Sequence, residues 1–196
     1  MTCTEVKDMF ESVEMCYGQK NIPGICRVVY AIPMRQIVKW PKLPSHEDMA
    51  DGDTSEKLVT ITESFVLAEA AKWLKLDIIQ EKSPVSFEPQ GEQYSGTFLN
   101  KATLKLAAHG KVATAFCAQV LNESMAYLVQ EKTGAYRLLG AEFLDTVTKP
   151  SGNFGESVTG DSGMTLEITA TDKVPAPYYE GEIVTEDGTI NPDAQS

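Results

Sequence analysis

Positive charge is scarce in this sequence: 17 Lys and Arg face 28 Asp and Glu, a formal net charge of −11 with a pI near 4.6. Surfaces that hold nucleic acid draw their affinity from Lys and Arg that displace counterions from phosphate, so the balance argues against a phosphate-binding surface. The aromatics are not interleaved with basic residues as nucleic-acid readers require. Phosphate-cradling glycine motifs are missing, both GxxxxGK[ST] and a GxGxxG between strand and helix. No run approaches the 18 apolar residues of a membrane-spanning helix. Cysteine is sparse: Cys3, Cys16, Cys26 and Cys117 form no pair at zinc or redox spacing. Met1 to Cys16 is polar and acidic, without the basic and apolar regions of a secretory signal. The expectation is therefore four free thiols in a reducing compartment. Cys26 and Cys117, in apolar segments, are expected as small core residues, and the sequon Asn122-Glu123-Ser124 carries no weight without export.

What is present is a globular composition, 42% hydrophobic over 196 residues, enough for one domain and its core. Val6, Met9, Phe10 and Val13 at helical spacing predict an amphipathic helix or arm over residues 1–24. Ile25 to Ile32 reads as a strand interrupted by Pro33, which implies an edge strand, a bulge or a second strand over Arg35–Trp40. Residues 41–56, with two prolines and an acidic cluster, read as a loop or insertion. Lys57 to Thr62 alternates with a period of two. Ser64 to Gln80 fits either a helix capped by Ser64 or two strands, and its bulky and branched residues favour strands. Val85–Glu88 and Thr97–Ala107 alternate as strands. Lys111 to Asn122 is the clearest helix, with Val112, Phe116 and Val120 in one row and Ala113, Cys117 and Leu121 beside it. Met125–Gln130 and Tyr136–Leu139 flank a glycine-bearing hairpin turn. Lys149–Ser162 reads as a Pro/Gly/Ser-rich loop and Met164–Thr171 as a half-exposed strand. The acidic residues 182–196 read as a tail, loose or docked on a partner.

Two constellations invite a chemical reading. Gly160-Asp161-Ser162-Gly163 and Ala107-Ala108-His109, with Asp145 between, have the residue types and chain order of a serine-protease triad. The 53 residues from His109 to Ser162 are far too few for the two barrels of that fold, and a turn before a strand explains the glycines and aspartate as well. The acidic run His46 to Asp53 invites a calcium loop. With Gly52 at the sixth position, Met49 falls at the third and Leu58 at the twelfth, where oxygen ligands are required. A solvated acidic loop is the better reading. Trp40 and Trp73 sit in apolar runs and are expected in the core. Tyr178-Tyr179, after two prolines, either plugs the domain or presents a stiff aromatic patch to a neighbour. No catalytic, metal or cofactor site is expected, and the protein is read as a non-enzyme.

The order of motifs carries a resemblance. Pro89-Gln90-Gly91-Glu92 leads into Ser95-Gly96-Thr97-Phe98-Leu99-Asn100-Lys101. A helix ends near Leu121-Asn122, and Gly134 precedes Tyr136-Arg137-Leu138-Leu139-Gly140. Asp161-Ser162-Gly163-Met164-Thr165-Leu166 and Ala176-Pro177-Tyr178-Tyr179-Glu180-Gly181 follow. Over about Leu58 to Gly181 this resembles the major tail tube proteins of tailed phages, particularly those of Bacteroides-type phages and prophages. The resemblance implies a mainly β (α+β) fold: an antiparallel β-sandwich or barrel with one flanking helix over residues 25–181. It implies subunits that join sheet edges into rings, usually hexameric, stacked around a tape-measure protein and later passing DNA. The expected partners are further copies of the chain, the tape-measure protein and terminator or adaptor proteins, with no membrane. The expected location is the virion tail, assembled in the bacterial host cytoplasm. An acidic lumen is expected to repel DNA. Contacts between subunits are expected at Trp40, Pro41, Leu43, Pro44, Tyr178 and Tyr179. The alternatives are a tail terminator or head–tail adaptor ring protein, or an isolated ligand-binding β domain.

Overall fold

The structure, a computed structural model, describes residues 9–14, 17–18, 22–108, 110–154 and 163–192. In chain order its elements are β1 (Ile25–Pro33), β2 (Ile37–Lys39), β3 (Thr60–Ile61), β4 (Val66–Leu67), β5 (Leu74–Asp77), β6 (Val85–Gln90), β7 (Thr97–Lys105), α1 (Lys111–Val120), β8 (Met125–Glu131), β9 (Tyr136–Leu139), β10 (Thr146–Asn153), β11 (Gly163–Asp172), β12 (Tyr178–Tyr179), β13 (Ile183–Thr185) and β14 (Gly188–Ile190). The expected mainly β chain with one principal helix is what the described residues form.

Two sheets dominate. One has six strands in the order β3-β12-β9-β8-β1-β5, antiparallel except for the parallel β3–β12 pair. The other has four antiparallel strands in the order β10-β11-β7-β6. Neither sheet closes on itself, so the expected barrel does not form within one chain. β2–β4 and β13–β14 form separate small pairs, the second bridged to Trp73 at Thr185.

The central strands β1 and β8 of the six-stranded sheet are buried on both faces. Along β1 and β8, Val29, Ala31, Tyr127 and Val129 point into a core shared with Ala102, Leu104, Leu166 and Ile168 of the four-stranded sheet. The alternate residues Tyr30, Ile32, Ala126 and Leu128 point the other way, into a second core with Phe65, Trp73 and Ile183. Burial on both faces explains why β1 and β8 read as continuous apolar runs instead of alternating. The four-stranded sheet buries only one face. Met164, Leu166, Ile168 and Ala170 of β11 turn inward, whereas Thr165, Glu167, Thr169 and Thr171 turn outward.

Several sequence expectations are corrected. Lys57–Thr62 is not a strand: Ser55–Val59 is a 3-10 helix and only Thr60 and Ile61 find a strand partner, in β12. An Asp53–Lys57 ion pair at 2.7 Å and a Thr60 hydroxyl bond to the Glu56 carbonyl hold the helical turn. Met34–Gln36 is likewise a 3-10 turn, leaving only β2 from the expected Arg35–Trp40 strand. The expected loop at Lys149 begins as strand instead. Pro150 is tolerated because β10 is an edge strand that needs no donor there, while residues 155–162 lie outside the described residues. Residues 183–190, read as a loose tail, form the β13–β14 hairpin with Ile183 fully buried. Residues 9–14 of the expected N-terminal helix are neither helix nor strand, and Val6 lies outside the described residues. The helix itself is right, but its inner face is Ala113, Phe116, Cys117 and Val120; Val112 is 85% exposed and Leu121 is exposed too.

Candidate functional site

Of the residues singled out as contact residues, Trp40, Leu43 and Tyr179 fall on the layer behind the six-stranded sheet. Trp40 is half-buried, its ring edge-on to Phe65 at 5.3 Å, and Phe65 stacks in turn against Trp73 and Tyr179 at 5.3 and 5.2 Å. Leu43 packs on the same cluster, Pro41 is buried and Pro44 half-buried. Tyr179 is buried among them. Its hydroxyl donates to the Glu182 carbonyl at 2.9 Å and accepts the Phe65 amide at 3.3 Å. Burial pushes that phenol up to about 12. Of the two readings of the tyrosine pair, Tyr179 takes the plug. Tyr178 stands apart, half-buried, with the Arg137 guanidinium 3.7 Å above its ring and bonded to its hydroxyl at 2.6 Å. Arg137 also donates to Glu131 Oε1 and the Ala176 carbonyl, so this corner is internally satisfied.

The acidic loop uses its carboxylates on itself. Asp48 accepts from Lys42 Nζ and from the Ser45 amide and hydroxyl, which together hold its carboxyl well below the usual carboxylate range. Asp53 caps the Ala50 amide at 2.8 Å and pairs with Lys57. These are turn-capping roles. Of the protease-like trio, His109 and Ser162 lie outside the described residues. Asp145 accepts an exposed bond from the Ser124 hydroxyl at 3.3 Å.

A groove of about 670 Å³ runs between β5 and the start of α1, lined by Leu74, Leu76, Leu106, Val112 and Phe116 with Asp187 at its rim. It is large enough and apolar enough for a small organic ligand.

Sequence reasoning did not find the sheet edges. β6 pairs only with β7, and β10 only with β11 among the described residues. Ser86 to Pro89 are all exposed. Phe87 lies on the inward face of the hairpin yet is 58% exposed, its ring edge-on to that of Phe98 at 6.0 Å. The outward face of this sheet carries Thr103, Thr165, Thr169 and Thr171. Its charges are Glu88 and Glu167 against Lys101, Lys105 and Lys149, and Glu88 bridges Lys101 at 2.6 Å. That face is close to neutral; acidic side chains stand instead in the acidic loop, near β13–β14 and elsewhere along the chain. Alternation alone predicted β6 as a strand, but no local signal says that one of its edges stays unpaired. Comparison with protein-family models, with curated proteins and with solved structures finds no match to this chain.

Proposed function

We propose that this chain is a self-assembling ring subunit, namely the tail tube protein of a tailed phage, whose stacked, six-membered rings form a DNA-conducting tube. The observation that carries the reading is the four-stranded antiparallel sheet open at both ends. Its outermost strands, β6 and β10, run in opposite directions, because three antiparallel steps separate them. Copies arranged around an axis along the strands therefore meet β6 to β10 in antiparallel sense, and both open edges of this sheet find a partner. Uncovered edges otherwise invite uncontrolled pairing. Six copies would contribute 24 strands to one closed barrel. Its backbone diameter is about 37 Å before strand tilt widens it further, wider than the roughly 16- to 18-stranded porin barrels that leave an aqueous channel. Two sheets sharing one core fits the sandwich of the resembled family.

The face lining such a channel is the threonine-rich outward face. Its near-neutral charge replaces the acidic lumen expected from composition: DNA passes because little holds it, not because a charged wall repels it. The partners in this reading are other copies, the tape-measure protein and terminator or adaptor proteins, in the virion tail, assembled in the bacterial host cytoplasm. No catalytic role is assigned. Light scattering and negative-stain imaging of the purified protein over a range of concentrations test the reading. Closed rings and open-ended tubes are expected; single rings that never stack point to a terminator or adaptor. A monomer at high concentration refutes assembly. The β5–α1 groove favours a second reading as a ligand-binding domain, which a screen of apolar ligands by thermal shift addresses directly.

A further inference from the structure

The inward face of the β6–β7 hairpin runs past the core that the rest of the chain supplies. Val85 reaches that core, but Phe87 is 58% exposed and Pro89 is exposed as well. A large ring left in water forgoes the stabilisation that its burial would contribute. Across the sheet, the register places Phe87 opposite Asn100, Asn100 opposite Ala170 and Ala170 opposite Thr146. Thr146 opens the other edge strand, and three residues before it Phe143 is 88% exposed. Both edges of one sheet thus carry an uncovered phenylalanine at the same end.

We infer that the Phe87–Phe98 overhang is a docking surface for a second copy of this chain, which inserts Phe143 of its Ala141–Leu144 turn against it. The contact is head-to-tail: one copy gives its β6 edge, the next gives its Phe143 turn and β10 edge. Such a contact leaves each copy with one donor and one acceptor side, and repeats until a ring closes. This inference rests on the ring reading and names which residues seal its seam.

The test is complementation between two variants. Phe87→Asp and Phe143→Asp each change an exposed side chain, so both are expected to keep the parent's circular dichroism and melting temperature. Each alone is expected to run as a monomer under conditions where the parent forms rings. Mixed one to one, they are expected to give dimers and nothing larger, because the intact Phe143 side of one meets the intact Phe87 side of the other. A parent that forms rings while either variant also forms rings overturns the inference and leaves the ring reading standing, as does a mixture that stays monomeric. A variant that assembles with itself into dimers overturns the head-to-tail sense. A parent that stays monomeric at high concentration overturns both the inference and the ring reading. A variant that loses the parent's dichroism is replaced by Phe87→Ser or Phe143→Ser and read by the same criteria.

Discussion

Tyr179 shows how much one side chain holds together in this protein. Its hydroxyl joins the Phe65 amide to the Glu182 carbonyl, and its ring packs on Phe65. Tyr179→Phe keeps the ring and strips both bonds, so chemical denaturation is expected to record a loss of about 1–3 kcal/mol. Two residues on, a Cβ at Gly181 would lie 2.6 Å from the Glu63 carbonyl oxygen and 2.7 Å from the Tyr179 hydroxyl. Gly181→Ala is therefore expected to destabilise more than Tyr179→Phe, and near-equal unfolding midpoints for Gly181→Ala and the parent would contradict this packing. Asp172 supplies a pH-dependent case. Burial raises its carboxyl above the ordinary value, against opposing bonds from the Lys173 and Val174 amides. A carboxyl raised in the folded state favours its protonated form. Its stabilising contribution is complete below the unfolded value, ~3.9, and is lost as pH rises through the folded value. Asp172→Asn is expected to raise the melting temperature at pH 7, with the gain shrinking toward zero as the buffer is taken below pH 4.

At the scale of elements, the layer behind the six-stranded sheet is the main surprise. It is assembled from pieces far apart in the chain: the Trp40–Leu43 segment, Phe65, Trp73 and the β13–β14 hairpin. The hairpin is anchored by the Trp73 amide donating to the Val184 carbonyl at 2.9 Å and by Ile183 in the core. Ile183→Ala is expected to cost about 2–5 kcal/mol, where an undocked tail would register nothing. The same logic changes the outlook for the acidic loop. Leu43 packs into the second core and Met49 is buried, so removing Lys42–Gly52 is expected to lower stability as well as alter contacts. The helix is the opposite case: it lies on the surface, and Phe116 is only partly buried. Phe116→Ala is expected to fall below the ~3 kcal/mol floor seen for fully buried rings.

At the scale of the whole molecule, the open edges of the four-stranded sheet and its near-neutral outward face set the expectations. Assembled protein is expected to retain duplex DNA negligibly even at low salt, the condition most favourable to phosphate binding. A gel-shift titration that shows retention with a steep salt dependence would refute the neutral-channel account. Assembly itself is expected to respond to salt only modestly, because the proposed seam is backbone pairing and apolar contact.

The sequence by itself determined the class and most strands, because alternation and β-branched runs act locally. β6, β7, β8, β9 and β11 stand where the periodicity places them, and the helix stands at Lys111. Its turn chemistry likewise fixed the Gly134 hairpin. Tertiary structure decided the rest. Val112 and Phe116 are equivalent in a helical pattern, and only the position of β10 and β11 beside the helix selected Phe116 as the inner residue. Lys57–Thr62 alternates like a strand, but a strand needs a partner along its length, and β12 offers only two residues. Ile183 sits in an acidic, turn-rich segment whose local composition favours solvent; the uncovered face of the six-stranded sheet captured it. Whether an edge strand such as β6 stays open is likewise a property of what lies beside it in space. Local pattern sets what a segment can form, and long-range burial sets which face it presents and whether anything covers it.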